Sequence, residues 1–430
     1  MRKNLSVSPI HTFSKTLTFP GDKSISHRSV MLGAIAKGKT EIRNFLPAED
    51  CVHTLNAFQK MGIGVIFHGK ERLTLYGKGL RGLRRSRGPI YLGNSGTSMR
   101  LLLGILAGQH FTTTLSGDPS LSQRPMRRVV LPLKKMGAEI RGRHNDNLAP
   151  LTIRGRTLKG IRYPLPIPSA QVKSAILLAG LYAEGKTTVI EPFKTRDHTE
   201  RMLQQFGKSV SLRGVSASLE GGGELQGSRV DVPGDISSAA FFIILASALE
   251  GSQLIVRNIG LNPTRIGFIQ VLKRMGAWIT LVPKKGTGGL KSGEPVGDIE
   301  VRGRGLRGTT VTASEIPTLI DELPILMVAG ACAKGETLFQ QASELRVKET
   351  DRIYSMVTNL RKMGVSIRNE KDNVILQGGK PFHGARVDSF KDHRTAMSLA
   401  VAGRLSRKGK TTVQDVACID TSFPGFINLI

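Results

Sequence analysis

Cysteine, aromatic side chains and acidic groups are all scarce in this chain of 430 residues. The three cysteines, Cys51, Cys332 and Cys418, are an odd number set far apart, with no CxxC pair and no Cys/His cluster. That excludes a disulfide framework and gives no sign of a zinc site, so all three are expected to be reduced and structural. Aromatics at 5% are too few to alternate with basic residues as they do in non-specific single-strand binders. The longest run free of strongly polar residues, 239–249, falls well short of the ~20 needed to cross a bilayer. No transmembrane helix is expected. The start, MRKNLSVSPIHTF, is basic but has no apolar run of signal-peptide length behind it, so the expected location is cytoplasmic.

What is present in excess is positive charge. Lys and Arg number 62 against 33 Asp and Glu, a net charge of +29. Such a balance suits either a nucleic-acid surface or a protein that handles anionic small molecules. The basic residues are scattered, RGLRRSR at 81–87 being the densest run. Hydrophobic residues at 40% and charged residues at 22% are ordinary for a globular protein and exclude disorder, collagen and coiled coil as the main class. The length suggests two or three domains at ~150 residues each.

A phrase of small-residue apolar helix, glycine and β-branched strand recurs six times, at 29–42, 99–115, 173–190, 238–256, 323–339 and 396–413. Its glycines, Gly38, Gly108, Gly185, Gly251, Gly335 and Gly409, lie 66 to 84 residues apart. Each stands where a left-handed helix cap is wanted, and the residues after it favour a strand. A second helix follows in most copies and ends in phrases such as LKKMGAEI at 133–140 and LKRMGAWI at 272–279. One unit is therefore helix, strand, helix, strand, strand.

The sixth copy stops at FPGFINLI without closing strands, while LSVSPI and KTLTFPG open the chain with no helix before them. The two ends should complete each other. The phrase PGD occurs twice, at Pro20–Asp22 and Pro233–Asp235, which predicts two neighbouring crossovers at Pro20–Gly21 and Pro233–Gly234. Domain one is then 1–20 plus 234–430, domain two is 21–233, and each contains three units. The Gly/Lys-rich insert at 284–294 is expected to be a surface loop.

Helices apolar on nearly all sides belong inside, so the expected class is α/β: a two-domain inside-out barrel with buried parallel helices and outer sheets. Helices sharing one polarity would bring their N-termini, with their unsatisfied N–H groups, to one face of each domain. An interdomain cleft receiving six such ends would attract anions. The stretches before the helices read PGDKSISHR, GNSGTSMR, PSAQVKS, PGDISS, PTLIDELP and FKDHR. Four carry Lys or Arg at the helix start, where a cation opposes the dipole at ~0.3–1 kcal/mol each. An anionic ligand would remove that cost. Two more basic clusters, LSQRPMRR at 121–128 and LRVKETDR at 345–352, fall between units.

Those stretches, with TRDHTERML, LRVKETDR and TSFPGF, follow one another along nearly the whole chain and resemble the 5-enolpyruvylshikimate-3-phosphate (EPSP) synthase family. The PSAQVK, TRDHTE and IDELPIL wording is similar to the branch called class II. The resemblance implies two domains of three βαβαββ repeats. It also implies transfer of the enolpyruvyl group of phosphoenolpyruvate to the 5-hydroxyl of shikimate 3-phosphate, with release of phosphate. No metal or other cofactor is implied, and the expected partners are the two small-molecule substrates, with no nucleic acid and no membrane, in a monomer. By motif, Lys23, Ser24, Arg28, Ser169, Ala170, Gln171, Arg196, Asp321 and Lys348 are implied to bind shikimate 3-phosphate. Lys23, Asn94, Gly96, Arg124, Gln171, Arg352 and Arg394 are implied to bind phosphoenolpyruvate. The catalytic set is Lys23, Asp321 facing the attacking hydroxyl, and Glu349 exchanging a proton with C3.

Glu349 lies in sequence among Arg346, Lys348 and Arg352, which should lower its pKa against use as a proton donor unless bound anions offset those cations. His27 is expected to be structural, and His393 either catalytic or a support for Arg394. Departures from the family pattern are Leu101, Glu344 and Thr421, the last at a position where relatives place a lysine. Gly96 implies room for glyphosate as an inhibitor. The sister enzyme acting on UDP-N-acetylglucosamine uses a loop cysteine, and 117–128 contains none. A basic nucleic-acid-binding protein is the rival from another class.

Overall fold

A computed structural model describes residues 3–289 and 293–430. They form two compact units. Among the described residues, unit two comprises 21–233 together with 286–289, 293 and 294; unit one comprises 3–20, 234–285 and 295–430. Residues 286–289, 293 and 294 thus leave the domain that the sequence boundaries would give them, which corrects the span 234–430 there. Residues 290–292 of the insert lie outside the described residues. Lys284 to Gly286 are exposed as a surface loop requires, but Glu294 is buried, with Oε1 2.6 Å from Nδ1 of His198.

Six helices carry the cores: α1 (Lys23–Ile35), α2 (Gly96–Ala107) and α3 (Ala170–Gly180) in unit two, and α4 (Ile236–Ala248), α5 (Leu323–Cys332) and α6 (His393–Leu405) in unit one. They form because small and apolar residues let them be buried on nearly all sides, so that packing rather than propensity stabilises them, and because side chains cap five of the six starts. Asp22, Ser95, Ser169, Asp235 and Asp392 each accept a bond from a first-turn N–H. Glu322, at the start of α5, makes no such bond, and Pro324 in that helix's first turn needs no partner for its nitrogen. In α4 every residue from Ile236 to Ser247 is buried. With no polar face, such a helix is stable only when surrounded.

Each core helix runs into a strand in the middle of its own sheet. In unit two, Thr112–Ser116 lies parallel to Ile90–Tyr91 and antiparallel to Leu148–Arg154, which pairs with Glu139–Gly142. Arg162–Pro164, Lys186–Ile190, Ser216–Glu220 and Ser211–Arg213 repeat that order. The sheet built on Ala36–Arg43 takes its parallel partner, Arg229–Asp231, from the far end of the unit, with Val230 opposite Ile42. Unit one borrows from its ends too. Ser14–Thr18 runs beside Gln253–Gly260, and Leu5–Val7 pairs with Thr411–Gln414, Leu5 opposite Val413.

The repeated glycines do not cap the helices as expected. α1 ends on Ala36 in extended backbone, and Gly38, at φ +87°, sits inside the following strand. Gly108 does end α2, but at φ −96°. The left-handed corner is needed by the strand rather than by the helix. A different set of glycines lets helix meet sheet: a Cβ at Gly33, Gly180 or Gly330 would lie 3.1, 2.9 or 3.2 Å from the Cβ of Thr40, Thr187 or Thr337. The sheet can approach that closely only because those helix positions have no side chain.

Candidate active site

In unit two the starts of the three core helices are tied together by side chains. Lys23, the first residue of α1, pairs with Asp50, and the carbonyl of Ser24 accepts a 3.0 Å bond from Arg28. The Arg28 guanidinium also donates to Thr199 Oγ1 at 2.7 Å and to Ser174 Oγ of α3 at 3.0 Å. Burial brings its pKa down to about 10, against the pull of Glu200 and Asp22. It remains a cation at neutral pH. Arg196 is partly buried, and its charge acts on Arg28.

α2 and α3 meet through Gln171, which accepts from Arg100 at 2.6 Å and donates to Thr97 Oγ1 at 2.9 Å. Arg124 donates to Asn94 Oδ1, and Asn94 in turn donates to Asp118 at 2.7 Å. Gly96 sits against these cations. A Cβ there would be 2.9 Å from an Arg100 nitrogen and 3.2 Å from one of Arg124. Ser169 caps α3 and Ala170 is its first residue. Of the expected residues in this unit, Asn94, Gly96, Arg124 and Gln171 therefore form one cluster, and Lys23, Ser24, Arg28 and Arg196 another around the start of α1. Ser169 and Ala170 open α3 beside both.

His27 is buried with Nδ1 2.7 Å from Thr54 Oγ1. Burial, then the charges of Lys23 and Arg28, holds its pKa well below the usual range. A neutral, enclosed imidazole bonded to a core hydroxyl is a structural group.

In unit one the centre is Arg352, the first residue of the helix Arg352–Lys362 and 2% exposed. Its guanidinium donates to Asp392 at 2.8 Å and to Glu349 at 2.6 Å, and lies 3.5 Å from Asp321. Three carboxylates hold its pKa above the usual arginine value despite burial. Arg346 turns elsewhere, donating to Asp351 at 3.0 Å and Asp372 at 3.2 Å. Arg346, three residues before Glu349 in sequence, thus belongs to separate pairs. Lys348 follows the short turn Ser343–Val347 and is partly buried beside Glu349.

Arg394 stands in the first turn of α6, where it donates to the Ser237 carbonyl at 3.3 Å. His393 begins that helix and is buried. Asp392 fastens the two arginines to one frame: Oδ1 accepts from the N–H of Arg394 at 2.7 Å while Oδ2 accepts from Arg352.

Sequence reasoning missed Arg100, Asp392 and Glu322. Arg100 carried the signal already used, a cation in a first turn, within the quoted GNSGTSMR. The two acids had none, because the side chains they meet, Arg352 for Asp392 and Ser237 for Glu322, lie 40 and 85 residues away. Buried Lys173 was also missed; it pairs with Glu191 at 2.8 Å and Glu200 at 2.7 Å, fixing the segment that carries Arg196. Among the described residues no group of three His, Cys, Asp or Glu could hold a metal ion, and no helix is long and apolar enough to cross a membrane.

Two α/β units with arginines and carboxylates gathered at the starts of buried helices define an enzyme for small polyanions, in which charge is placed before the ligand arrives. The chain belongs to the EPSP synthase family: the model of EPSP synthase (3-phosphoshikimate 1-carboxyvinyltransferase) matches residues 7–430. A 3-phosphoshikimate 1-carboxyvinyltransferase of Desulforamulus reducens is 48% identical over 99% of this chain and 98% of its own. One of Geobacter metallireducens is 50% identical over 100% and 98%. A solved structure of EPSP synthase from Acinetobacter baumannii superposes with a TM-score of 0.87 at 45% identity, covering 100% of this chain and 97% of that one.

Proposed function

We infer that this chain transfers the enolpyruvyl group of phosphoenolpyruvate to shikimate 3-phosphate, releasing phosphate, in aromatic amino acid biosynthesis. Full-length identity near 50% to enzymes of that name supports the reaction. On this reading each unit is an inside-out α/β barrel, and both groups of helix starts serve the same pair of substrates. Lys23, Ser24, Arg28, Ser169, Ala170, Gln171, Arg196, Asp321 and Lys348 hold shikimate 3-phosphate. Lys23, Asn94, Gly96, Arg124, Gln171, Arg352 and Arg394 hold phosphoenolpyruvate.

The observation that carries the chemistry is the sharing of Arg352 by Glu349 and Asp321. In the proposed sequence the 5-hydroxyl adds to C2 of phosphoenolpyruvate and gives its proton to Asp321, while Glu349 protonates C3. The tetrahedral adduct then loses phosphate, which takes up the proton held by Asp321, as Glu349 takes a proton back from C3, so that both carboxyls return to their starting state. An anionic substrate reaching Arg352 competes with Glu349 for the guanidinium, and the released carboxyl is then able to hold the proton it must deliver. The same arginine would thus couple substrate arrival to readiness of the acid.

Two measurements test these roles. Glu349→Gln should lower phosphate release by more than ~100-fold, in line with typical acid/base contributions, and should abolish deuterium uptake at C3 of phosphoenolpyruvate in heavy water. Asp321→Asn should lower turnover comparably. Turnover of either variant within tenfold of the parent would remove that residue from the mechanism. Phosphate release with UDP-N-acetylglucosamine in place of shikimate 3-phosphate would overturn the choice of acceptor.

A further inference from the structure

Behind Arg394 in unit one lies a buried polar network that the reaction scheme does not use. Glu322 is 0% exposed, a carboxylate at the head of α5 that does not cap its own helix. Its Oε1 accepts from Ser237 Oγ in the first turn of α4 and lies 3.9 Å from an Arg394 nitrogen. The Ser237 carbonyl accepts from that same nitrogen at 3.3 Å. On the other side Arg265, also buried, donates to Ser237 Oγ at 2.5 Å and faces Asp235 at 3.6 Å. The ring of Phe241 lies 5.9 Å below the Arg394 guanidinium and blocks that direction.

In the Glu322–Arg394 pair one buried atom on each side is left over. Among the described residues neither Glu322 Oε2 nor Arg394 Nε has a hydrogen-bond partner. A buried carboxylate oxygen without a donor is costly, and a fold under no other demand would replace such a group with an apolar one. The arrangement makes sense if Glu322 compensates the Arg394 charge and fixes the plane of its fork while the remaining N–H groups stay turned to a ligand. We propose that Glu322, held by Ser237, is a positioning residue that aims Arg394 at the anionic groups of phosphoenolpyruvate.

This deepens the assignment of Arg394 made above and rests on it. Glu322→Gln keeps the shape and the acceptor for Ser237 but removes the charge. It should raise KM for phosphoenolpyruvate by roughly tenfold or more, as expected for a lost charge-assisted contact, with KM for shikimate 3-phosphate within twofold of the parent. Arg394→Lys should raise the same KM. The double variant should be little worse than the Arg394→Lys single, because residues acting through one group are not additive. Ser237→Ala, which leaves the carboxylate but loosens it, should raise KM for phosphoenolpyruvate roughly threefold and decides the matter if Glu322→Gln does not fold.

An unchanged KM for phosphoenolpyruvate in Glu322→Gln, or in Ser237→Ala where that variant decides, overturns the proposal. So does full additivity in the double variant. An Arg394→Lys variant with unaltered KM for phosphoenolpyruvate instead sinks the assignment of Arg394. Equal rises in both substrates' KM would mark Glu322 as merely structural.

Discussion

Single side chains in this protein are committed to several partners at once, and that makes small changes informative. Arg352 meets three carboxylates, Arg28 three oxygens, and Gln171 links two helices. Gly96 is the extreme case, because its lack of a side chain leaves room beside Arg100 and Arg124. Gly96→Ala places a methyl group against the flexible ends of both arginines, so they shift while the helix stays. KM for phosphoenolpyruvate is expected to rise a few-fold and glyphosate inhibition to weaken, while thermal stability changes little. Steady-state kinetics with an inhibition series would check this; parent enzyme unaffected by millimolar glyphosate would refute the sensitivity read from Gly96.

At the scale of elements, the fold depends on how near the buried helices can come to each other and to the sheets. A Cβ at Gly104 in α2 would lie 2.3 Å from the Ala175 carbonyl oxygen in α3. Backbone on both sides leaves nothing to rotate away. Gly104→Ala should therefore cost about 1–3 kcal/mol as overpacking, measured by urea unfolding. Gly330→Ala in α5 meets only the Thr337 side chain, at 3.2 Å, and should cost less. The reverse order would contradict the packing described. The helices themselves were legible beforehand because composition, caps and glycines are local signals. Their exact ends were not: Gly38 and Gly335 follow the helices by a few residues, since the strand's corner rather than the helix chose the left-handed backbone.

For the whole molecule the thread of the chain matters most. Unit one begins with Leu5–Val7 and ends beyond Thr411–Gln414, and those two strands are hydrogen-bonded partners. Deleting the first eight residues should strip Thr411–Gln414 of one neighbour and uncover the face of α6 that Val7 covers at Gly403. Hydrogen exchange followed by mass spectrometry should then show faster exchange in Thr411–Gln414, with Thr112–Ser116 of unit two unchanged. Unaltered protection at Thr411–Gln414 would mean that the terminal strand adds nothing to the sheet.

By itself the sequence determined the sixfold repeat, the place of the two PGD turns, the borrowing of terminal strands, and the residues at each helix start. These follow from periodicity and from backbone groups that must be satisfied within a few residues. Only the tertiary structure decided which charge meets which: Arg352 with Asp392 from forty residues on, Arg346 turned to Asp372, Glu294 packed against His198, Glu322 behind Arg394. Such pairings depend on the angle and depth at which distant elements pack, and a long side chain has enough rotamers to take any of several partners until packing removes all but one.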